Sequence, residues 1–126
     1  MSPKKKPSIL IIDPDTHLVD ILISRFQLDG WTARAAKSIE QAKKMLARKT
    51  SEVILLDPKD ESEPEKHALE LVDHTAERAR TLIVHTASFT RGAQVMWKQS
   101  KASAILKKGE HSLSDFIKMI KKIHLS

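Results

Sequence analysis

The chain has 126 residues, 40% hydrophobic and 30% charged, enough for one domain around a single core and too few for two comfortable ones. It has no cysteine, which excludes disulfides and thiolate metal sites and is in keeping with a reducing, cytoplasmic setting. The net charge of +6 is split: residues 57–77 hold eight acids and two lysines (−6), and residues 98–126 hold seven lysines and two acids (+5). So acidic a middle argues against a general nucleic-acid binder, and apolar runs such as Ile9 to Ile12 are far too short to span a bilayer.

Residues 1–7, with three successive lysines and no signal-like apolar region, read as a disordered lead, and residues 8–126 as one domain. Ser8 to Ile12 is an apolar strand. Asp15 to Asp29 carries a helical stripe of Leu18, Val19, Leu22, Ile23 and Phe26, with Gly30 as its stop. Trp31 to Ala35 is a short, weak strand. Ser38, with Gln41 three residues on, opens a helix whose inner face is Ile39, Ala42, Met45 and Leu46. Glu52 to Leu56 is strongly apolar and strand-like. Pro64 to Ala79 is helical, with Ala68, Leu69, Leu71 and Val72 inward. Thr81 to His85 is a strand, Arg91 to Ser100 a helix, and Ser103 to Leu106 a short strand. Ser112 caps a last helix that turns Leu113, Phe116, Ile117, Ile120 and Ile123 inward.

Five strands thus alternate with five helices. Strands that are continuous apolar runs are buried on both faces. The expected fold is therefore α/β: a doubly wound, five-stranded parallel sheet with right-handed crossovers. Such sheets place their functional crevice outside the carboxyl ends of the strands. The first strand ends in Asp13-Pro14-Asp15, the third in Asp57, the fourth in His85-Thr86-Ala87 and the fifth in Lys107-Lys108-Gly109. There is no glycine-rich phosphate loop, no zinc-like spacing of histidines and no hydrolase elbow.

This layout resembles the receiver domain of two-component response regulators, from Ser8 to His124. Asp57 stands at the phosphoacceptor position. Asp13, 44 residues earlier, matches the first acid of the family's metal-binding pair. Thr86 matches the small hydroxyl after strand four, and Lys108, 22 residues later, the lysine after strand five. The resemblance implies a flavodoxin-like (βα)5 fold, phosphoryl transfer from a histidine kinase or phosphotransfer protein to Asp57, and a Mg²⁺ ion on Asp13 and Asp57. It implies a phosphoacceptor whose own activity is at most self-phosphorylation and autodephosphorylation. A carboxylate can attack a phosphoryl group and hold it as an acyl phosphate. Nearby cations and a donating hydroxyl make attack on so anionic a group tolerable.

The departures cluster around the metal. Pro14 replaces the second acid of the pair, which weakens the Mg²⁺ site. Asp15 suits the N-cap of the first helix, although it, Asp60 or Glu61 could assist. Pro58 follows Asp57 in a loop longer than usual, and the family's proline-then-glycine pattern survives at best as Pro64 and Ala68. Ile105 stands at the aromatic switch position and Gly109 where a proline follows the lysine. Two readings stay open: a receiver that accepts phosphate with altered ligands, and a phosphorylation-independent pseudo-receiver serving as an interaction or dimerisation module. A small nucleotide- or flavin-binding domain is a further class, disfavoured by the missing phosphate loop. A homodimer or output partner is expected on the C-terminal face, where Trp97 lies among lysines; the bland alternative there is a solvated lysine-rich helix. With no helix-turn-helix following, nucleic acid is not the expected partner. A chain ending at Ser126 is expected to be a single-domain regulator or an excised receiver.

Overall fold

The structure, a computed structural model, describes residues 6–57, 81–87 and 102–125. The expected helices at 64–79 and 91–100, residues 1–5 of the lead, Pro58, Asp60, Glu61 and Trp97 lie outside the described residues. The elements are β1 (Ser8–Ile12), α1 (Thr16–Leu28), β2 (Thr32–Ala36), α2 (Ile39–Arg48), β3 (Val53–Leu56), β4 (Thr81–Thr86), β5 (Ala104–Lys107) and α3 (Leu113–Leu125). The five strands pair in parallel in the order β2-β1-β3-β4-β5. The order reverses between β1 and β3, and this is where a doubly wound sheet opens its crevice.

The core follows from strand periodicity, since successive residues point to opposite faces. Leu10, Ile12, Ile54, Leu56, Leu82 and Val84 pack on one face with Ala42 and Leu46 of α2. Ile9, Ile11, Val53, Leu55, Ile83 and Leu106 pack on the other with Val19, Leu22 and Phe26 of α1 and Phe116, Ile117 and Ile120 of α3. Every residue of β3 and β4 is buried, whereas the edge strands β2 and β5 are only partly covered. Truncating a side chain as enclosed as Leu22 or Phe26 to alanine removes both transfer energy and packing, about 2–5 kcal/mol.

The helix starts obey the caps read from the sequence. Asp15, Ser38 and Ser112 accept from the amides of Leu18, Gln41 and Asp115 at 3.2, 3.1 and 3.2 Å. Gln41 reciprocates, but one residue early: its Oε1 accepts from the amide of Lys37 at 2.8 Å. The end of α1 corrects one expectation. Trp31 does not begin β2. Its amide donates to the Phe26 carbonyl at 2.9 Å and that of Gly30 to Gln27 at 3.0 Å, with Gly30 at φ +86°. This is a Schellman stop, completed by ring contact between Phe26 and Trp31 at 5.0 Å between centroids. β1 has the expected limits, and the remaining strand limits differ by at most one residue: β2 ends at Ala36, β3 omits Glu52, β4 runs on to Thr86, and β5 spans Ala104–Lys107.

The N-terminal edge of the sheet is closed by polar contacts. Arg34 donates to the Lys49 carbonyl and the Ser51 hydroxyl. Buried His124, on the last turn of α3, lies 3.3 Å from the Glu52 carboxylate and packs edge-on against Trp31. Among the described residues no helix is long and apolar enough to cross a membrane.

Candidate functional site

The ladder carries the backbone of the site one residue past the strand ends. The Asp57 amide donates to the Ile12 carbonyl at 2.8 Å, and the Lys108 amide to the Thr86 carbonyl at 2.9 Å. Asp13 and Asp57 therefore stand side by side after β1 and β3, at the reversal of strand order. Both are buried, at 4% and 8% exposure. Thr86 is the buried last residue of β4.

Lys108 reaches back across the site. Its ammonium lies 2.5 Å from Asp57 Oδ2 and 2.9 Å from Asp13 Oδ2. Burial on its own would lower the Lys108 pKa. Hydrogen bonds to Asp57 and Asp13, helped by their charges, outweigh it and raise the pKa, so the group is a firm cation. Among the described residues, one ammonium thus bridges two buried carboxylates at this edge of the sheet.

Asp15 stays outside this group. Asp13 Oδ1 accepts from the Asp15 amide at 2.8 Å across exposed Pro14, an Asx turn that directs the chain into α1. The Asp15 carboxylate is then spent on the Leu18 amide. Among the described residues no three His, Asp or Glu side chains converge as a metal cage. The donor set of Asp13 and Asp57 still fits Mg²⁺, which is commonly held by one or two carboxylates with waters completing its octahedron. Lys108 engages one oxygen, Oδ2, of each of these acids.

The remaining family positions have clear physical settings. Ile105 is half-buried and packs on the α2 side of the core. Gly109 has φ +80°, a conformation closed to proline, whose ring fixes φ near −65°. The loop from β5 to α3 thus takes a path that a lysine-proline sequence could not follow.

The sequence places His85 at the carboxyl end of the fourth strand beside Thr86, with no role assigned to it. It is 6% exposed and stacks on Phe116, with ring centroids 4.3 Å apart and planes at 30°. Burial first, then the positive charge of Lys108, push its pKa from 6.5 down to about 4, so the ring is neutral at pH 7. The available signal was periodicity: His85 falls on the same face of β4 as Ile83, where an apolar residue is expected.

No protein-family model and no curated protein matches the chain. Solved structures do. The orphan response regulator HP1043 of H. pylori superposes with a TM-score of 0.82 at 16% identity, over 97% of this chain and 99% of that one. The non-phosphorylated HemR receiver domain of Leptospira biflexa gives 0.81 at 19%, covering 94% of each. TrrA of Thermotoga maritima, solved with Mg²⁺ and beryllium fluoride, gives 0.72 at 20%, over 93% of this chain and 98% of that one. With its β2-β1-β3-β4-β5 sheet and these likenesses, the chain has the CheY-like, flavodoxin-like fold of response-regulator receiver domains.

Proposed function

We propose that the chain works as a response-regulator receiver in a phosphorelay, with Asp57 accepting a phosphoryl group from a histidine kinase or phosphotransfer protein. The observation that carries this is the bridge from Lys108 to both Asp57 and Asp13 at the carboxyl edge of the sheet. In the transfer, a carboxylate oxygen of Asp57 forms a bond to phosphorus as the bond from phosphorus to the donor imidazole nitrogen breaks. The imidazole leaves with the electron pair and takes up a proton. Lys108 offsets the charge of the acyl phosphate, and the Thr86 hydroxyl, in the resemblance, donates to a phosphoryl oxygen. A Mg²⁺ ion held by Asp13 and Asp57 would supply further charge when bound. Pairing of the new phosphate with Lys108 and Thr86 would bias the adjoining loops toward a second arrangement.

A second reading, a pseudo-receiver that binds partners without phosphorylation, is favoured by one observation: the Asp15 side chain caps α1 and so, among the described residues, does not stand in for the acid that Pro14 replaces. One experiment separates the two. The protein is incubated with phosphoramidate and Mg²⁺, and its intact mass is measured beside Asp57→Asn. A phosphoryl increment in the parent that is missing from the variant supports transfer. No increment at any Mg²⁺ concentration overturns it and leaves the pseudo-receiver.

A further inference from the structure

The N-terminal edge of the sheet, opposite the edge that carries Asp57, gathers side chains that the phosphoryl site does not use. A helix that follows a parallel strand runs back against it, so α1, α2 and α3 all end at this edge. Contacts tie the three ends to the strand starts. Lys121 of α3 pairs with Asp29 at the end of α1. Arg34 of β2 holds the Lys49 carbonyl at the end of α2. The Glu52 amide donates to the Ser8 hydroxyl at 3.0 Å where β1 begins. Leu28 and Leu125 flank these contacts and are 81% and 80% exposed. Leu28 directly precedes Asp29, and Leu125 directly follows His124, which packs on Trp31. Lys6, Arg48, Lys49 and Lys122 are exposed at the same edge. Of the acids described there, Asp29 pairs with Lys121, and Glu52 lies against His124. A cation in the last turn of a helix suits the helix dipole. That accounts for Arg48 and Lys122, but not for Lys6 or for two leucines held in water.

We propose that this edge docks on an anionic lipid surface. Leu28 and Leu125 enter the headgroup layer, while Lys6, Arg48, Lys49 and Lys122 meet the lipid phosphates. Apolar insertion beside a basic patch is the pair of signals that stable attachment to such a surface requires, since either alone is marginal. The charge selects the lipid over the other occupants. A second copy placed on the same patch would set cation against cation across a two-fold axis. A nucleic acid offers the leucines no apolar layer, and the ring of Trp31 is taken up by Phe26 and His124 and is not offered for base stacking. Docked in this way, the domain turns its far edge, with Asp57, away from the membrane and leaves it open to a phosphodonor. The proposal itself uses no phosphoryl chemistry and stands apart from the function proposed above.

The test is sedimentation of the full chain with vesicles of phosphatidylcholine alone and of an equal mixture with phosphatidylglycerol, at low and at physiological salt. Expected is saturable binding to the mixed vesicles, roughly tenfold tighter than to phosphatidylcholine and weakened by salt. Leu28→Ser with Leu125→Ser, and separately Arg48→Gln with Lys49→Gln, should each weaken binding to the mixed vesicles roughly tenfold. All four side chains are exposed, and thermal unfolding checks that each variant keeps its fold. No binding, or equal binding to the two kinds of vesicle, overturns the proposal. So does binding that the leucine substitutions leave unchanged, which means adsorption by charge only. Tighter binding to a DNA duplex than to the mixed vesicles overturns it in favour of a nucleic-acid face. A dimer in solution that the leucine substitutions dissociate overturns it in favour of a second copy. The comparison of vesicles and salts within the parent stands even if a variant folds poorly.

Discussion

The Lys108 ammonium joins Asp13 to Asp57 across the reversal of strand order, 2.9 Å from one carboxylate and 2.5 Å from the other. Both acids are buried and Lys108 is partly open to solvent. Removing the cation strands two charges that the fold has desolvated. Lys108→Met is expected to lose about 1–3 kcal/mol at neutral pH, less than for a fully buried pair because the ammonium is screened. Urea unfolding measures it. In an Asp13→Asn, Asp57→Asn background the same substitution should cost less; an equal loss there would mean that packing of the lysine stem, not charge, is what was removed.

The same contact sets the affinity for divalent ions. Lys108 competes for the two oxygens that a cation would need. Lys108→Met is therefore expected to bind Mn²⁺, as a probe for Mg²⁺, roughly tenfold more tightly than the parent, about 1.4 kcal/mol. Asp13→Asn should bind more weakly. Titration followed by Mn²⁺ electron paramagnetic resonance distinguishes these, and a Lys108→Met affinity equal to the parent's would show that the lysine yields without cost.

How far the sequence could be read depended on whether a feature is local. Apolar runs gave β1, β3 and β4 and hence the parallel sheet, since burial on both faces is written in composition. Caps at Asp15, Ser38 and Ser112 were legible because an N-cap is a contact over three residues. Asp13, Asp57 and Lys108 could be placed at strand ends, but their direct contact could not, since it joins residues 95 apart in sequence. Trp31 was misread because the Schellman stop uses it as the residue after Gly30, with its ring on Phe26, while its aromatic character suggests a strand. The stacking of His85 on Phe116 and the burial of His124 against Trp31 could not be read, since each contact joins residues distant in sequence.

Gly109 provides a test of the loop that follows Lys108. At φ +80° a β-carbon meets no atom within 4 Å, so any cost of substitution comes from the backbone alone. Gly109→Ala is expected to lose about 1 kcal/mol, from left-handed strain. Gly109→Pro, which restores the residue usual after the family lysine, should lose more, since φ must change sign. Thermal unfolding of the three proteins gives the order. A proline variant as stable as the parent would mean that the loop can take the other path.

His85 predicts a pH dependence whose sign can be stated. Its pKa falls from 6.5 to about 4 on folding, through burial first and the charges of Lys108 and His111, against the opposing pull of Asp13. The unfolded chain therefore binds a proton that the folded chain refuses between these two values, and stability must fall as pH falls through that window. The shift corresponds to ~3 kcal/mol, reduced to about 2 kcal/mol by solvent screening. His85→Leu should lack this slope while keeping the rest of the pH profile, so the difference between the two urea-unfolding curves isolates His85. The variant is expected to match or exceed the parent at pH 7, because leucine leaves no unpaired nitrogen in the core, and its advantage should grow steadily from pH 6.5 to pH 4. A constant difference across that range would mean that the His85 ring gains a partner when protonated, and that its burial carries no penalty of charge.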